Sequence, residues 1–301
     1  GEQTMSAIRT LISAIVIFFI WSAIARAAPV LVDSQWLSAN LNQRDLVLID
    51  MAADETQYDR FHLPGAIYLP YYAIVKPRKK DKVTLPLSDR ELAFVLGKFG
   101  ISRDQHIVVY DDMGGLNAGR LFWSLERIGH PKVSVLDGGL VKWVLEGRKV
   151  VNTRRQLKPV TYTAGSGGRQ NVASMEDVDR ASKEGKTALI DARSLEEYVG
   201  DLKKRQGGHV AGAQWFEWSR AVDIPGGFVR RPEEKLRAEL NNIGAGDKNA
   251  PVIAYCRSGH RAAHTYLTLR SLGYENVRLY AHSMKEYGQY RKKDLKRGSR
   301  P

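Results

Sequence analysis

The chain has 301 residues, 43% of them hydrophobic and 26% charged, which excludes a disordered, collagen-like or low-complexity polymer and fits two globular domains with cores of their own. Its net charge of +13 favours anionic small molecules, acidic proteins, nucleic acid or anionic lipid headgroups as partners, without choosing among them. A single cysteine, Cys256, excludes any disulfide framework within the chain.

The first predicted element is a leader. Met5 reads as the start, with Gly1 to Thr4 ahead of it. Arg9 supplies positive charge, Leu11 to Ile24 is an uncharged and largely apolar stretch, and small residues follow in Ala25-Arg26-Ala27-Ala28. That order describes a secretory signal peptide over residues 1–28. The stretch is shorter than the ~20 residues that span a bilayer comfortably. A retained membrane anchor is the alternative, resting on the bulky Phe18, Phe19 and Trp21. Both readings place the body outside the cytoplasm, periplasmic or secreted. By itself a lone cysteine reads as a small buried hydrophobe. In an oxidising compartment a free thiol is a liability, which shifts the reading of Cys256 towards a reactive role.

The body then alternates strand and helix. Leu46-Val47-Leu48-Ile49-Asp50 and His106-Ile107-Val108-Val109-Tyr110 read as buried strands. Between them Leu92, Val95, Leu96 and Phe99 recur at helical spacing and stop at Gly100, with Ser88 and Glu91 placed as a capping box. The same pattern returns downstream. Ala188-Leu189-Ile190-Asp191 repeats the first strand, Val210-Ala211-Gly212-Ala213 repeats Leu63-Pro64-Gly65-Ala66, and Val252-Ile253-Ala254-Tyr255 repeats the strand ending at Tyr110. Leu236, Leu240 and Ile243, stopping at Gly244, repeat the helix. The offset stays at about 145 residues, so one unit has been copied in tandem. The expected units are residues 29–152 and 171–290, with a linker over 153–170. Strand-helix alternation implies a mainly parallel sheet flanked by helices in each unit. The basic runs, Lys76 to Lys82 and the tail 291–301, read as solvated segments, the tail as a mobile end.

In such sheets ligands bind beyond the carboxyl ends of the strands. Tyr255-Cys256-Arg257-Ser258-Gly259-His260-Arg261 lies there, followed by a helix whose apolar face carries Ala263, Tyr266 and Leu267 and which ends at Gly273. A strand-loop-helix turn aims backbone N–H groups into a nest at the helix N-terminus. With Arg257 and Arg261 nearby, the nest favours a thiolate nucleophile at Cys256.

These motifs resemble the tandem-domain rhodaneses, the family of thiosulfate and 3-mercaptopyruvate sulfurtransferases. The resemblance is carried by Ile190-Asp191-Ala192-Arg193, Gly208-His209-Val210-Ala211-Gly212-Ala213 and the cysteine loop, and in the first unit by Phe122-Trp123-Ser124 and Leu136-Asp137-Gly138-Gly139. It implies an α/β fold of two tandem rhodanese-like domains, with only the second catalytic. Asp111 stands where the second unit has Cys256, in keeping with a silent first unit. The implied activity moves a sulfane sulfur from a small anionic donor to a thiophilic acceptor, such as cyanide or a thiol, through a Cys256 persulfide. Arg257, Ser258, Gly259, His260 and Arg261 are implied to bind donor and persulfide. Arg193 is open between a donor contact and a structural ion pair. No metal, organic cofactor or nucleic acid is implied, and a thiol-bearing protein is a further acceptor.

Several positions depart from the family pattern. Glu197 replaces the arginine expected before Tyr198, and Arg257 replaces a glycine usual in mercaptopyruvate enzymes; both favour thiosulfate. Lys203, Lys204 and Arg205 are placed to compensate for Glu197. Ala281-His282-Ser283-Met284 replaces Asp-Gly-Ser-Trp, with an expected change in packing behind the loop. Three rival readings stand beside this one: a phosphate-ester loop, disfavoured because four residues rather than five separate Cys256 from Arg261; a metal site of Cys256, His260 and His264; and a non-enzymatic sulfane-sulfur carrier. His62, His209, Asp50 and Asp191 read as residues that fix local turns.

Overall fold

The computed structural model describes residues 28–78, 83–165, 167–201, 203 and 207–301. Nearly all of the expected signal segment, and Lys204 and Arg205, lie outside them. Within the described residues the chain forms two parallel sheets. In the first, the order is Leu31–Val32, Val133–Leu136, His106–Tyr110, Leu46–Asp50, Ile67–Tyr68. In the second it is Val277–Leu279, Val252–Tyr255, Ala188–Asp191, Gln214–Trp215. The central strands are apolar runs buried on both faces, as a sheet covered by helices on both sides requires. The two sheets match strand for strand. Even the edge pairing Leu31 to Val135 has a counterpart in the bridge from Val172 to Leu279.

The expected helix after Ser88 spans Asp89–Lys98, and its capping box is formed in both directions. Its counterpart spans Glu233–Asn242. The turn histidines do what their positions imply. His62 stacks on Tyr58 with ring centroids 3.8 Å apart, and His209 stacks on Tyr198 at 3.7 Å. Each tyrosine hydroxyl donates across the following turn, Tyr58 to the Ala66 carbonyl at 2.9 Å and Tyr198 to the Ala213 carbonyl at 2.7 Å.

Two expectations need correction. Residues 79–82 of the basic run lie outside the described residues, and its start is strand where a loop was expected: Val75–Arg78 pairs antiparallel with Val83–Pro86. The basic tail is not a mobile end either. Lys296 exchanges two backbone hydrogen bonds with His209, both 2.9 Å, and the Arg300 carbonyl lies 2.9 Å from His209 Nε2. The same clasp closes the first unit, where Val151 pairs with His62 and the Thr153 carbonyl lies 3.2 Å from His62 Nε2. Sequence alone hides this, because the clasp works through backbone groups and leaves the side chains charged and polar.

The units share a continuous core. Helix Leu116–Arg127 crosses helix His260–Ser271 closely because Gly119 has no side chain: a Cβ there would come within 3.1 Å of the Ala263 carbonyl. Across the same seam Glu126 accepts from the Tyr266 hydroxyl at 2.5 Å and from Arg270 at 3.1 Å. This seam brings the first unit up to the cysteine loop.

Candidate active site

Cys256 is the first residue beyond the buried strand Val252–Tyr255, and it is 1% exposed. Three contacts hold the loop from behind. The Cys256 N–H donates to Ser283 Oγ at 3.0 Å, the Cys256 carbonyl accepts from Met284 N–H at 3.1 Å, and the Arg257 carbonyl accepts from Lys285 N–H at 3.0 Å. Ser283 is fully buried with φ +53°, a left-handed conformation that costs an L-residue about 1–2 kcal/mol. The matching residue in the first unit is Gly139, at φ +52°. Serine is kept in this strained place with its hydroxyl bridging the Cys256 N–H and the Tyr280 carbonyl. The change expected from Ala281 to Met284 therefore leaves a working support behind the loop.

Gly259 caps the helix His260–Ser271 at φ +83°, where a Cβ would meet the Ala281 carbonyl at 2.5 Å. That close approach lets its N–H turn back to Cys256 Sγ, 3.1 Å away. One N–H of the nest expected from the sequence, that of Gly259, thus meets the sulfur.

The other site residues divide. Arg257 is exposed and Ser258 half-buried. Arg257 lines a cavity of about 600 Å³ with Arg193, Glu197, Lys285, Lys292 and Arg297. Arg261 donates two hydrogen bonds to Glu197, at 2.6 and 3.0 Å. Burial opposes ionisation of Glu197, but the bonds and charge of Arg261, with the bond to Ser194 and the charge of Arg193, together outweigh it and hold the carboxyl below its usual range. The residue that replaces the expected arginine thus takes the charge of another. Of the two roles open to Arg193, the geometry is that of the ion pair: it is 5% exposed, forks onto Asp191 at 2.5 and 2.9 Å and donates to the Gly208 carbonyl.

His260 is held by the first unit. Its Nε2 meets Asn117 Oδ1 at 2.9 Å, and its ring lies 4.7 Å from that of Tyr71. Because Asn117 Nδ2 donates to the Met51 carbonyl, Oδ1 accepts and His260 Nε2 carries the proton. Burial, then the charges of Arg120 and Arg261, push His260 down to about 4, so it is neutral at pH 7. His264 packs edge-on to Trp218 at 5.1 Å. No group of three or more His, Cys, Asp or Glu side chains among the described residues is placed to hold a metal.

In the first unit the nest is filled from within. The Asp111 carboxylate accepts N–H bonds from Met113, Gly115 and Ala118 at 2.8–2.9 Å. Burial raises its pKa while those bonds work against the rise. The sequence also passed over Arg120, a fully buried residue of the first unit whose Nη1 donates to the Gly259 carbonyl at 3.1 Å. One signal was available. Arg120 sits in an apolar stretch of its helix with no acid three or four residues away.

A duplicated parallel α/β unit, with a thiol loop at a strand end in one copy and a carboxylate there in the other, defines a tandem cysteine-loop protein. The chain belongs to the rhodanese family: the model of the rhodanese-like domain matches residues 33–146 and 174–290. It is 32% identical over 272 residues to a Mycobacterium leprae protein named "Putative thiosulfate sulfurtransferase", covering 87% of this chain and 95% of that one. It is 31% identical over 273 residues to the sulfur carrier protein TtuD of Thermus thermophilus, covering 86% and 93%. Among solved structures, the Escherichia coli protein SseA, described as a 3-mercaptopyruvate sulfotransferase, aligns with a TM-score of 0.73 and 26% identity over 85% of this chain and 99% of that one. The Saccharomyces cerevisiae protein Tum1, at 19% identity and a TM-score of 0.77 over 91% of this chain and 99% of that one, shares the fold.

Proposed function

We propose that the protein is an exported sulfurtransferase of the thiosulfate type, with Cys256 as its sulfur-carrying nucleophile. The observation that carries this reading is the Cys256 sulfur at a strand end, 3.1 Å from the N–H of the glycine that caps a buried helix. In the first half-reaction the Cys256 thiolate attacks the outer sulfur of thiosulfate. A bond forms from Sγ to that sulfur, the bond to the sulfonate sulfur breaks, and sulfite leaves with the electron pair. In the second, cyanide or a thiolate attacks the terminal sulfur and Cys256 leaves as thiolate. This is covalent catalysis in two steps, and the Gly259 N–H stabilises the sulfur that holds the charge.

Two features support thiosulfate as donor. The Arg261–Glu197 pair withdraws one cation from carboxylate recognition, and the exposed Arg257 offers another to a compact dianion. The TtuD relative and the basic cavity beside the loop favour a second reading, a carrier that hands its sulfur to an acidic protein. Export rests on the leader over residues 1–28.

The test is incubation with thiosulfate followed by intact-mass spectrometry and a thiocyanate assay with cyanide. One added sulfur on Cys256 with turnover is expected, and Cys256→Ser should abolish both. Sulfur uptake without turnover on any small acceptor selects the carrier reading. No uptake from any donor refutes the proposal, and cell fractionation checks the location.

A further inference from the structure

Three arginines among the described residues are buried: Arg120, Arg193 and Arg270. Arg193 has Asp191 and Arg270 has Glu126. Arg120 is different. Its Nη1 donates to the Gly259 carbonyl and its guanidinium lies over the Trp123 ring, 4.8 Å from the centroid, while Nε and Nη2 have no hydrogen-bond partner among the described residues. A buried guanidinium without an anion is destabilising. Burial accordingly lowers the Arg120 pKa, and the groups that work against the fall are the Tyr71 hydroxyl and the Cys256 thiol. Burial raises the Tyr71 pKa, so that phenol stays neutral near pH 7. The Cys256 sulfur is left as the anion that Arg120 can answer.

The internal repeat supplies an independent comparison. Arg120 is the fifth residue of helix Leu116–Arg127, and His264 is the fifth residue of helix His260–Ser271. The two side chains are exchanged across the seam, each against the capping glycine of the other helix. Arg120 Nη1 lies 2.8 Å from where a Gly259 Cβ would stand, and His264 Nε2 lies 3.4 Å from where a Gly115 Cβ would stand. The loop that faces His264 holds Asp111, already satisfied by three N–H groups of its own, and burial pushes His264 down to about 4, leaving it neutral. The loop that faces Arg120 holds a sulfur with one N–H bond. Equivalent positions thus carry a neutral group where the anion is already satisfied and a permanent cation with two donors to spare where it is not.

We propose that Arg120, supplied by the unit without a thiol, is the counter-cation of the sulfur on Cys256, and that its Nε–H and Nη2–H bind the anionic terminal sulfur of the persulfide. The persulfide part rests on the sulfurtransferase reading above. Arg120 stays protonated throughout and makes or breaks no covalent bond. It stabilises the thiolate that attacks and the persulfide anion that results. The first unit is then a contributor to the reaction centre and not only its wall.

The experiment compares wild type, Arg120→Met and Arg120→Lys in the full chain. In Arg120→Met, alkylation of Cys256 by iodoacetamide should slow about tenfold at neutral pH, and the pH profile of alkylation should move upward. Persulfide yield from thiosulfate should fall by a similar factor. Arg120→Lys keeps the charge but loses the fork, and should alkylate nearly as wild type with a reduced persulfide yield. Wild-type alkylation of Arg120→Met at neutral pH overturns the proposal, and so does a slowing with no shift of the pH profile, which marks a displaced loop. If Arg120→Met does not fold, Arg120→Lys decides: slowed alkylation at neutral pH counts against a counter-cation. Alkylation reads the thiol whether or not thiosulfate is the donor, so a wild type that takes up no sulfur sinks the transferase reading separately.

Discussion

Asp50 and Asp191 end equivalent strands, and each accepts the N–H two residues on, at 2.7 and 3.0 Å. Their surroundings differ: Asp50 has Asp111 and Asp112 nearby, where the second unit has Cys256 and Arg257. Asp191 has Arg193, and Asp50 has Ala52 at the same spacing. Burial, only partly offset by bonds from Tyr110 and the Ala52 N–H, pushes the Asp50 carboxyl up to about 7. An unfolded aspartate ionises near 3.8. Below that pH both states are protonated and the fold keeps this group's full contribution. As pH rises towards 7 the unfolded chain gives up its proton first, so stability falls through that window. Asp50→Asn should therefore raise the unfolding temperature at pH 8, by on the order of a few kcal/mol of stability, and change little near pH 4. An equal effect at both pH values would exclude the linkage. At this scale the sequence exposed Cys256, because composition and loop pattern both single it out. It did not expose Ser283 or Arg120, whose roles come from a backbone angle and from the approach of another unit.

At the scale of elements, what was legible has a local cause. Ser88 with Glu91 marks a helix start because both partners lie within one turn, and the buried strands are plain because apolar runs admit no other place. What was illegible depends on distant backbone pairing. The hairpin at Val75–Arg78 and the closing clasps at Val151 and Lys296 look polar and basic. The clasp of the first unit straddles the expected boundary with the linker, Val151 on one side and Thr153 on the other, and the clasp of the second reads as the tail. If this is one device used twice, deleting residues 294–301 should weaken the second unit by about 1–3 kcal/mol through the lost partners of His209. Limited proteolysis should then cut that unit first. An unchanged unfolding temperature would show the clasp to be ornamental.

At the scale of the molecule, the pseudo-symmetric seam makes two copies into one body with one chemistry. Glu126 gathers Tyr266 and Arg270 from the opposite unit, and Asn117 and Tyr71 hold His260, so the shape of the reaction centre depends on both copies. The duplication was legible as a repeat of motifs, but the exchange of side chains across the seam was not, since no spacing in a sequence encodes which helix faces which.

The Asp111 carboxylate in its own nest has a consequence for stoichiometry. A tethered ligand competes at an effective concentration that a dissolved anion reaches only in the millimolar range or above. The first loop is in that sense permanently inhibited by its own chain, and the fold's two equivalent anion seats reduce to one that solution can address. Calorimetric titration with sulfite, the product anion of the proposed reaction, should count one loop site per chain, and that site should vanish on alkylation of Cys256. Two equal sites would mean that the internal carboxylate yields its place.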